Sequence, residues 1–448
     1  MSQKYLIKNI FVASDDCYDY YDVLIEPPYI SRIEKTIDDI KSNVIEINGE
    51  GKILMPGMID DQVHFREPGL THKGEIYTES KAAVAGGITS YMEMPNTQPP
   101  ATTQDELEKK YALAQSKSLA NYSFYIGATN NNLEEILNTD FSKVCGVKIF
   151  MGSSTGDLLV DDKKTLERIF SECKALITTH CEDDSIIKKN LDKITEEYGF
   201  DLPPYFHPII RDENACYTSS KFAVELAKKY KTRLHILHIS TAKELSLFTN
   251  QLPLEEKHIT AEACIHHLWF CDEDYEKLGN KIKWNPAIKT KYDRDKIIEA
   301  VNNDIIDVIA TDHAPHTIEE KNKPLLEAPS GGPLVQHALL ALLELYHQNL
   351  FSLETIVRKT SHNVAKLFGI KKRGFVEEGC FADLVLIDIH KPYTVRANNL
   401  LYKCKWSPFE NYSFSSTIEK TFVNGHLAYD NGVFDESKKG MRLEFEKQ

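Results

Sequence analysis

Residues that can bind a metal ion or hold a carboxylate recur along this sequence at the ends of strand-like segments. They are His64 in DDQVHFREPG, Asn96 in SYMEMPN, Lys148 in GVKIF, His180 in ALITTH, His238 in LHILH, and Asp312 and His316 in VIATDHAPH. A single histidine at a strand end is usually a structural residue with an ordinary hydrogen bond. Recurrence near the C-terminal end of six segments predicts one shared site, because the active sites of (β/α)₈ barrels lie at that end.

The elements that would position these residues divide the chain into three stretches. Short strands and turns characterise both ends. Strand-like and amphipathic helix-like segments alternate from about Gly57 to Gly369, which is typical of a parallel sheet covered by helices. We therefore predict a β domain built from residues 1–56 together with 375–448, and a central α/β domain at 57–374.

The composition limits the partners that the protein can have. The chain of 448 residues carries a net charge of -14, whereas nucleic acids and anionic membranes attract clusters of lysine and arginine. No run approaches the length of a transmembrane helix. The nine cysteines contain no C-x-x-C pair and fit reduced thiols in a cytoplasm better than a disulfide framework. We expect a cytoplasmic protein that acts on a small molecule.

Six motifs together resemble one known family. They are PGMIDDQVHFREPG, MPNTQP, GVKIFMG, THCEDD, HISTAKE and ATDHAPHTIEEK. In this order they are similar to motifs of the amidohydrolase superfamily, and most closely of its dihydroorotase family. The resemblance covers nearly the whole chain. It implies a distorted (β/α)₈ TIM-type barrel with a small β-sandwich domain formed by both termini, in agreement with the three stretches above.

The resemblance also implies a set of zinc ligands. His180 and His238 would ligate one zinc ion and His64 a second. Lys148 stands where many relatives bridge the two metals with a carboxylated lysine, N6-carboxylysine. A free ammonium repels Zn²⁺, but a carbamate is an anionic oxygen donor that can bind two metals. Asp312 would ligate zinc and carry the proton during the reaction.

A second set of residues would bind the substrate. Arg66, Asn96 and His316 match family residues that hold a substrate carboxylate, a task that suits a guanidinium fork and an amide donor. Asn285 matches a further substrate-side residue, although an asparagine that shapes the turn before Pro286 is an equally good interpretation. The implied reaction is the reversible closure of N-carbamoyl-L-aspartate to L-dihydroorotate, a step of pyrimidine synthesis. In the hydrolytic direction zinc would lower the pKa of bound water.

Two other functions stay open at this point. An allantoinase or hydantoinase would share the barrel and the metals but would not need Arg66, because its substrates lack the carboxylate. A non-catalytic subunit that supports a partner such as aspartate transcarbamoylase would have lost several metal ligands, whereas only one is replaced here. The resemblance leaves open a homodimer or an association with aspartate transcarbamoylase.

The sequence departs from the family pattern at two positions. Gln62 replaces the first histidine of the family's His-x-His, and Leu334 stands where relatives often have a glycine that lines the substrate pocket. An amide oxygen is a poorer zinc donor than an imidazole nitrogen. We therefore predict one tight zinc site and one weaker site, with Gln62 turned toward the site without being a strong ligand. A hydrogen bond from Gln62 to a neighbouring strand is the alternative interpretation.

Other polar residues near these motifs are expected to be structural. His266 and His267 are adjacent on a predicted strand, so their side chains should point to opposite faces and not share a metal. Cys181 should pack away from His180 for the same reason. The acidic segment CEDD is expected to be a solvated face, although its Glu182 and Asp183 lie near enough to His180 to act on its charge.

Overall fold

The computed structural model describes residues 3–14, 17–40, 43–152, 158–160 and 162–446. The outermost residues of the predicted β domain, 1–2 and 447–448, therefore lie outside the described part. Within the described residues, no helix combines the length and the apolar character needed to cross a membrane.

The chain begins with five strands of a β-rich layer. They are β1 (Lys4–Ser14), β2 (Cys17–Glu26), β3 (Tyr29–Glu34), β4 (Val44–Asn48) and β5 (Ile53–Pro56). β1 pairs with β2 in antiparallel fashion along nearly its whole length. On its other edge, β1 pairs in parallel first with β4 and then with β5.

The central part of the chain is a parallel barrel. Its strands are β6 (Met58–Val63), β7 (Ile88–Glu93), β8 (Asn121–Phe124), β9 (Ile126–Gly127), β10 (Val147–Phe150), β11 (Ile177–His180), β12 (Leu234–Ile236), β13 (Ile259–Cys264) and β14 (Val308–Ala310). Only Tyr125 separates β8 from β9, so the two form one interrupted strand and the barrel has eight strand positions. The His64 N–H donates to the His313 carbonyl at 2.7 Å and joins the end of β6 to the segment after β14. The predicted (β/α)₈ barrel is confirmed.

Helices cover the outside of this barrel. They are α1 (Ile76–Ala85), α2 (Gln104–Lys117), α3 (Leu133–Leu137), α4 (Lys163–Glu172), α5 (Asp184–Tyr198), α6 (His207–Ile210), α7 (Glu213–Tyr230), α8 (Ile265–Trp269), α9 (Tyr275–Leu278), α10 (Lys291–Asn302), α11 (Ile318–Lys321), α12 (Ala338–His347), α13 (Leu353–Val357) and α14 (Asn363–Phe368). Several begin at a side-chain cap, such as Thr103, whose hydroxyl accepts the Glu106 N–H before α2. One π-helical turn, Arg358–His362, joins α13 to α14.

The C-terminal strands complete the β-rich layer. They are β15 (Leu384–Asp388), β16 (Tyr393–Thr394), β17 (Ser413–Phe414), β18 (Thr417–Val423), β19 (His426–Asp430) and β20 (Val433–Phe434). β15 pairs with β5, so strands from both termini share one nine-stranded sheet. A separate apolar core, which includes Tyr5, Ile25 and Phe422, fills this domain. The β domain built from both termini is confirmed, and its exact residue boundaries stay a prediction.

The last described residues return to the barrel. The Tyr122 N–H of β8 donates to the Met441 carbonyl at 3.0 Å, and the Leu443 N–H donates to the Tyr122 carbonyl at 2.9 Å. Leu443 and Phe445 are fully buried in an apolar cluster with Phe368 of α14. The tail therefore closes the N-terminal end of the barrel, opposite the end where the predicted site residues lie.

Candidate active site

A cavity of about 230 Å³ opens at the C-terminal end of the barrel strands. All nine residues that the sequence assigns to the site line it, namely His64, Arg66, Asn96, Lys148, His180, His238, Asn285, Asp312 and His316. Lys148 and His180 lie on β10 and β11, and the others lie on segments that follow β6, β7, β12, β13 and β14. The structure thus brings the whole predicted set together, while the role of each residue stays a prediction.

His64 and Asp312 form one pair of groups that can hold a cation. The amide oxygen of Asn96 accepts the His64 Nδ1–H at 2.7 Å, which leaves the lone pair of His64 on Nε2. This Nε2 lies 3.3 Å from Asp312 Oδ1. Burial lowers the pKa of His64 despite the neighbouring carboxylate, so the ring is neutral and able to donate to a metal.

His180 and His238 form a second pair. Glu182 accepts the His180 Nε2–H at 3.0 Å, so the lone pair of His180 lies on Nδ1. This Nδ1 is 2.9 Å from His238 Nε2. Burial also lowers the pKa of His238 well below its usual range. With the His180 lone pair on Nδ1, His238 Nε2 is the donor of this hydrogen bond. If the His238 proton lies on Nδ1 instead, the two facing nitrogens can bind one metal, since tetrahedral zinc with bonds of about 2.0–2.1 Å separates its ligands by roughly 3.4 Å.

Arg211 holds the Glu182 carboxylate in place. Arg211 donates to both of its oxygens, from Nε at 3.0 Å and from Nη2 at 2.7 Å. Burial alone would raise the pKa of Glu182, but Arg211 and His180 outweigh burial and hold this pKa well below its usual range. The carboxylate therefore stays charged and keeps His180 in the tautomer that a metal needs.

Lys148 contributes a buried amine to the same cavity. Its side chain is 1% exposed, and within the described chain its Nζ has no hydrogen bond or ion pair. Nζ lies 4.8 Å from the centre of the Phe150 ring. Burial lowers the pKa of Lys148 to about 8. A substantial fraction of the amine is therefore neutral near physiological pH, which is the form that reacts with carbon dioxide.

Arg66 and His316 form the opposite, cationic side of the cavity. Arg66 is buried and donates from Nε to the Pro315 carbonyl at 3.1 Å, while its Nη2 lies 3.0 Å from His316 Nε2. Burial lowers the pKa of Arg66 to about 10, which leaves the guanidinium charged at neutral pH. Among the described residues, no carboxylate lies within ion-pair distance of it. The Lys73 amine lies 3.0 Å from His316 Nδ1 and is paired with Glu320, also at 3.0 Å.

Comparison with known proteins identifies the family of the chain. The model of the amidohydrolase family matches residues 53–428. The dihydroorotase of Methanosarcina acetivorans is 33% identical over 417 residues, which cover 90% of this chain and 87% of the relative. The dihydroorotase of Fusobacterium nucleatum is 31% identical over 434 residues, which cover 95% and 98%. The chain belongs to the dihydroorotase family of amidohydrolases.

Solved structures agree with the fold of this amidohydrolase. The L-hydantoinase of Arthrobacter aurescens superposes with a TM-score of 0.93 at 26% identity and covers 98% of this chain and 99% of its own. The dihydropyrimidinase of Brevibacillus agri gives 0.85 at 25% identity, with 96% of each chain covered. Together with the sequence relatives, these likenesses make the protein a metal-dependent cyclic amide hydrolase.

Gln62 is the residue that the motif resemblance predicts in place of the first histidine of the family's His-x-His. The residue is 2% exposed and lines the cavity. Its Nε2 donates to Asp312 Oδ1 at 3.2 Å, and its Oε1 accepts a long bond from Cys264 Sγ at 3.7 Å. Gln62 thus presents its N–H donor, not its carbonyl oxygen, to the His64–Asp312 pair. Gln62 faces the cavity and also contacts strand β13, and its effect on zinc binding stays a prediction.

The remaining wall of the cavity is the loop before Leu334. Ser330 donates its hydroxyl to Asn285 Oδ1 at 2.9 Å and holds this asparagine at the cavity. Gly331 has a φ of 121°, and a Cβ there would come within 2.5 Å of the Ala314 carbonyl oxygen, so only glycine fits. Leu334 is fully buried, and it is absent from the part of the cavity wall that the described residues form. The expected effect of Leu334 on the pocket is therefore at most indirect.

The structure corrects two expectations about neighbouring polar residues. His266 and His267 lie on helix α8 and not on a strand, and His266 stacks on Trp284 with ring centres 4.6 Å apart. Neither histidine lines the cavity as the described residues define it, and the expectation that they do not share a metal stays a prediction. Glu182 is fully buried and is not part of a solvated face, although its predicted closeness to His180 is correct. Cys181 packs against Thr179, as expected.

Some residues that shape the site have no signal in the sequence. Arg211 stands 29 positions from the carboxylate that it holds, and Cys264 stands 202 positions from Gln62. Ordinary arginines and cysteines occur throughout the chain. Only the barrel, which brings the ends of distant strands together, gives these two residues their positions.

Proposed function

We propose that the protein is a dihydroorotase that interconverts N-carbamoyl-L-aspartate and L-dihydroorotate in pyrimidine synthesis. The observation that carries this proposal is Arg66, a buried guanidinium that lines the cavity and has no carboxylate partner among the described residues. A buried charge is costly unless it is paired. The carboxylate of dihydroorotate supplies the missing partner, whereas hydantoin and allantoin do not.

The same residues would hold two zinc ions. His180, His238 and Lys148, carboxylated to N6-carboxylysine, form one ligand set. His64, Asp312 and the shared carbamate form the other. The lone pairs of His64 and His180, the closeness of His238 Nε2 to His180 and the buried amine of Lys148 support these sets. When bound, zinc supplies a Lewis acid and lowers the pKa of water at the reacting carbonyl.

The side chains of this chain perform the remaining steps. Arg66 binds the substrate carboxylate, with Asn96, Asn285 and His316 placed to orient it. In the hydrolytic direction, water adds to the ring amide carbonyl and the C–N bond of the ring breaks. The Asp312 carboxylate accepts the proton of the attacking water and passes it to the departing ring nitrogen.

The two zinc sites are unequal in this proposal. Gln62 offers a donor N–H toward Asp312 Oδ1, where an imidazole would offer a lone pair. The hydrogen bond also competes with a metal for this oxygen. The site of His64 and Asp312 should therefore load zinc more weakly than the site of His180 and His238.

The proposal is tested by turnover of purified, zinc-loaded protein on five compounds. We expect conversion of L-dihydroorotate and carbamoyl-aspartate, with little or no activity on hydantoin, dihydrouracil or allantoin. Arg66→Ala should lower kcat/KM for dihydroorotate by roughly 10²-fold or more, about 3 kcal/mol, with unchanged zinc content. Arg168→Ala, which removes an exposed arginine of α4, serves as the control and should have no effect.

Two alternatives are outcomes of the same experiment. Preference for hydantoin or dihydrouracil, together with normal activity of Arg66→Ala, would indicate a hydantoinase-type enzyme. Zinc-loaded protein without turnover of any substrate would indicate a non-catalytic subunit. Homodimer formation and association with aspartate transcarbamoylase stay predictions, which light scattering with and without that enzyme can test. A cytoplasmic location also stays a prediction.

A further inference from the structure

A second group of potential metal ligands lies inside the barrel. Asp61 on β6, His235 on β12 and Glu262 on β13 are all 0% exposed. One potential ligand atom from each lies within 4.8 Å of the other two. His235 Nε2 is 3.4 Å from Asp61 Oδ2 and 3.9 Å from Glu262 Oε2. Within the described part of the chain, none of the three lines the catalytic cavity.

The atoms that face one another here have no hydrogen-bond partners. Both oxygens of Asp61, Oε2 of Glu262 and Nε2 of His235 are buried and unpaired within the described residues. Buried polar atoms are nearly always paired in proteins. Four such atoms on three converging side chains require either protons or a cation that the protein itself does not supply.

The tautomer of His235 points to a cation. Its Nδ1 lies 2.7 Å from Thr260 Oγ1, and the Thr260 hydroxyl in turn lies 3.4 Å from the Leu234 carbonyl. With its own proton directed to that carbonyl, the hydroxyl accepts the Nδ1–H of His235. In the neutral ring the lone pair of His235 is therefore on Nε2 and faces two carboxylates. Among the described residues, no lysine or arginine forms an ion pair with either carboxylate.

The distances distinguish a metal from shared protons. Hydrogen bonds between such groups span about 2.5–3.2 Å. The observed separations of 3.4 Å and 3.9 Å are longer than this. The roughly 3.4 Å between ligands around tetrahedral zinc, with bonds of about 2.0–2.1 Å, equals the first separation, and the second is longer by about 0.5 Å.

We propose that Asp61, His235 and Glu262 bind a structural divalent transition-metal ion inside the barrel, separate from the catalytic metals. One imidazole and two carboxylates are a donor set that suits zinc. The ion would join β6 to β12 and β13. Glu262 Oε1 also accepts the backbone N–H of His238 at 2.9 Å, so the same ion would help to position a residue of the catalytic cavity.

The direct test needs no variant. Wild-type protein is loaded with zinc, freed of excess metal and crystallised, and diffraction is recorded on both sides of the zinc absorption edge. We expect an anomalous peak bounded by Asp61, His235 and Glu262. A crystal with zinc in the catalytic cavity and no peak among these three residues would overturn the proposal.

Metal counting in variants tests the proposal independently of activity. Asp61→Asn should lose one zinc per chain relative to wild type, whereas Lys148→Ala should lose catalytic zinc and retain this ion. Asp60→Asn is the matched control, because both oxygens of this equally buried neighbour already accept hydrogen bonds from Thr311. Equal zinc content in wild type and Asp61→Asn, or no zinc in folded Lys148→Ala, would contradict the structural ion. Failure of the dihydroorotase assay would leave these results unaffected.

Discussion

Replacement of Glu182 by glutamine should weaken metal binding by His180 and His238 without any contact with the metal. The carboxylate performs two tasks at once, since it accepts the His180 Nε2–H at 3.0 Å and both donors of Arg211. An amide has only one acceptor atom. If its oxygen faces His180, its N–H₂ opposes the Arg211 guanidinium. If it faces Arg211, its N–H₂ points at His180 Nε2 and favours the tautomer with a proton on Nδ1.

Either orientation has a cost that can be estimated. One charge-assisted hydrogen bond is lost, worth about 1.5–3 kcal/mol, because neither partner can turn to solvent. Loss of a carboxylate behind a metal-binding histidine typically reduces metal affinity roughly 10- to 100-fold, or about 1.4–2.7 kcal/mol. The two ranges overlap. Because Glu182 is 0% exposed and water cannot replace it, we expect the loss of zinc affinity to lie in the upper half of the 10- to 100-fold range.

The assay is a competitive titration of zinc-loaded protein with a chelator of known affinity. Asp183→Asn is the control, since it makes the same chemical change one residue later, where the side chain caps α5 and asparagine caps as well as aspartate. We expect the tighter zinc to weaken in Glu182→Gln only. Equal zinc affinity in Glu182→Gln and wild type, or equal losses in both variants, would refute the argument that the carboxylate orients His180.

Three further results are expected at the cavity. Lys148→Ala should lose catalytic zinc and activity together, and short carboxylic acids with zinc should partly restore both; full catalytic zinc occupancy in this variant would exclude the carbamate. At fixed dissolved carbon dioxide, the rate at which zinc reactivates metal-free protein should rise about tenfold per pH unit and level off near pH 8, because burial lowers the pKa of Lys148 to about 8. A rate that continues to rise up to pH 10 would show that the pKa of this amine is unperturbed. Gln62→His should tighten the weaker zinc site in a titration and leave the tighter one unchanged, whereas two equally tight sites in wild type would show that Gln62 does not weaken the centre.

The barrel was predictable because its strands carry a strong local pattern. Segments such as RLHILHIS and DVIATDHA are short apolar runs, and the helices between them begin at clear caps. The cavity followed from the barrel, since parallel strands deliver their C-terminal ends to one place. Helix α8 was missed because the apolar segment ITAEACIHHLWF reads as one strand, whereas the chain turns into a helix after Cys264.

The electrostatic support of the site could not be predicted in the same way. Glu182 and Arg211 look like surface charges in sequence, and their burial depends on how α5 and the segment before α7 lie over the end of β11. The hydrogen bond from His64 Nδ1–H to the Asn96 amide oxygen assigns a tautomer that no motif encodes. Such contacts join residues far apart in the chain, so their partners become evident only when the strand ends are placed side by side.

The run from Asp60 to Gln62 shows how one strand serves three environments. All three side chains are buried. Asp60 is satisfied by Thr311, and Gln62 contacts the cavity through Asp312, while Asp61 points into the barrel without a hydrogen-bond partner among the described residues. Three buried polar residues in succession are costly in free energy unless each has a partner. The chain itself supplies partners for Asp60 and Gln62, and a metal ion held with His235 and Glu262 would be the partner of Asp61.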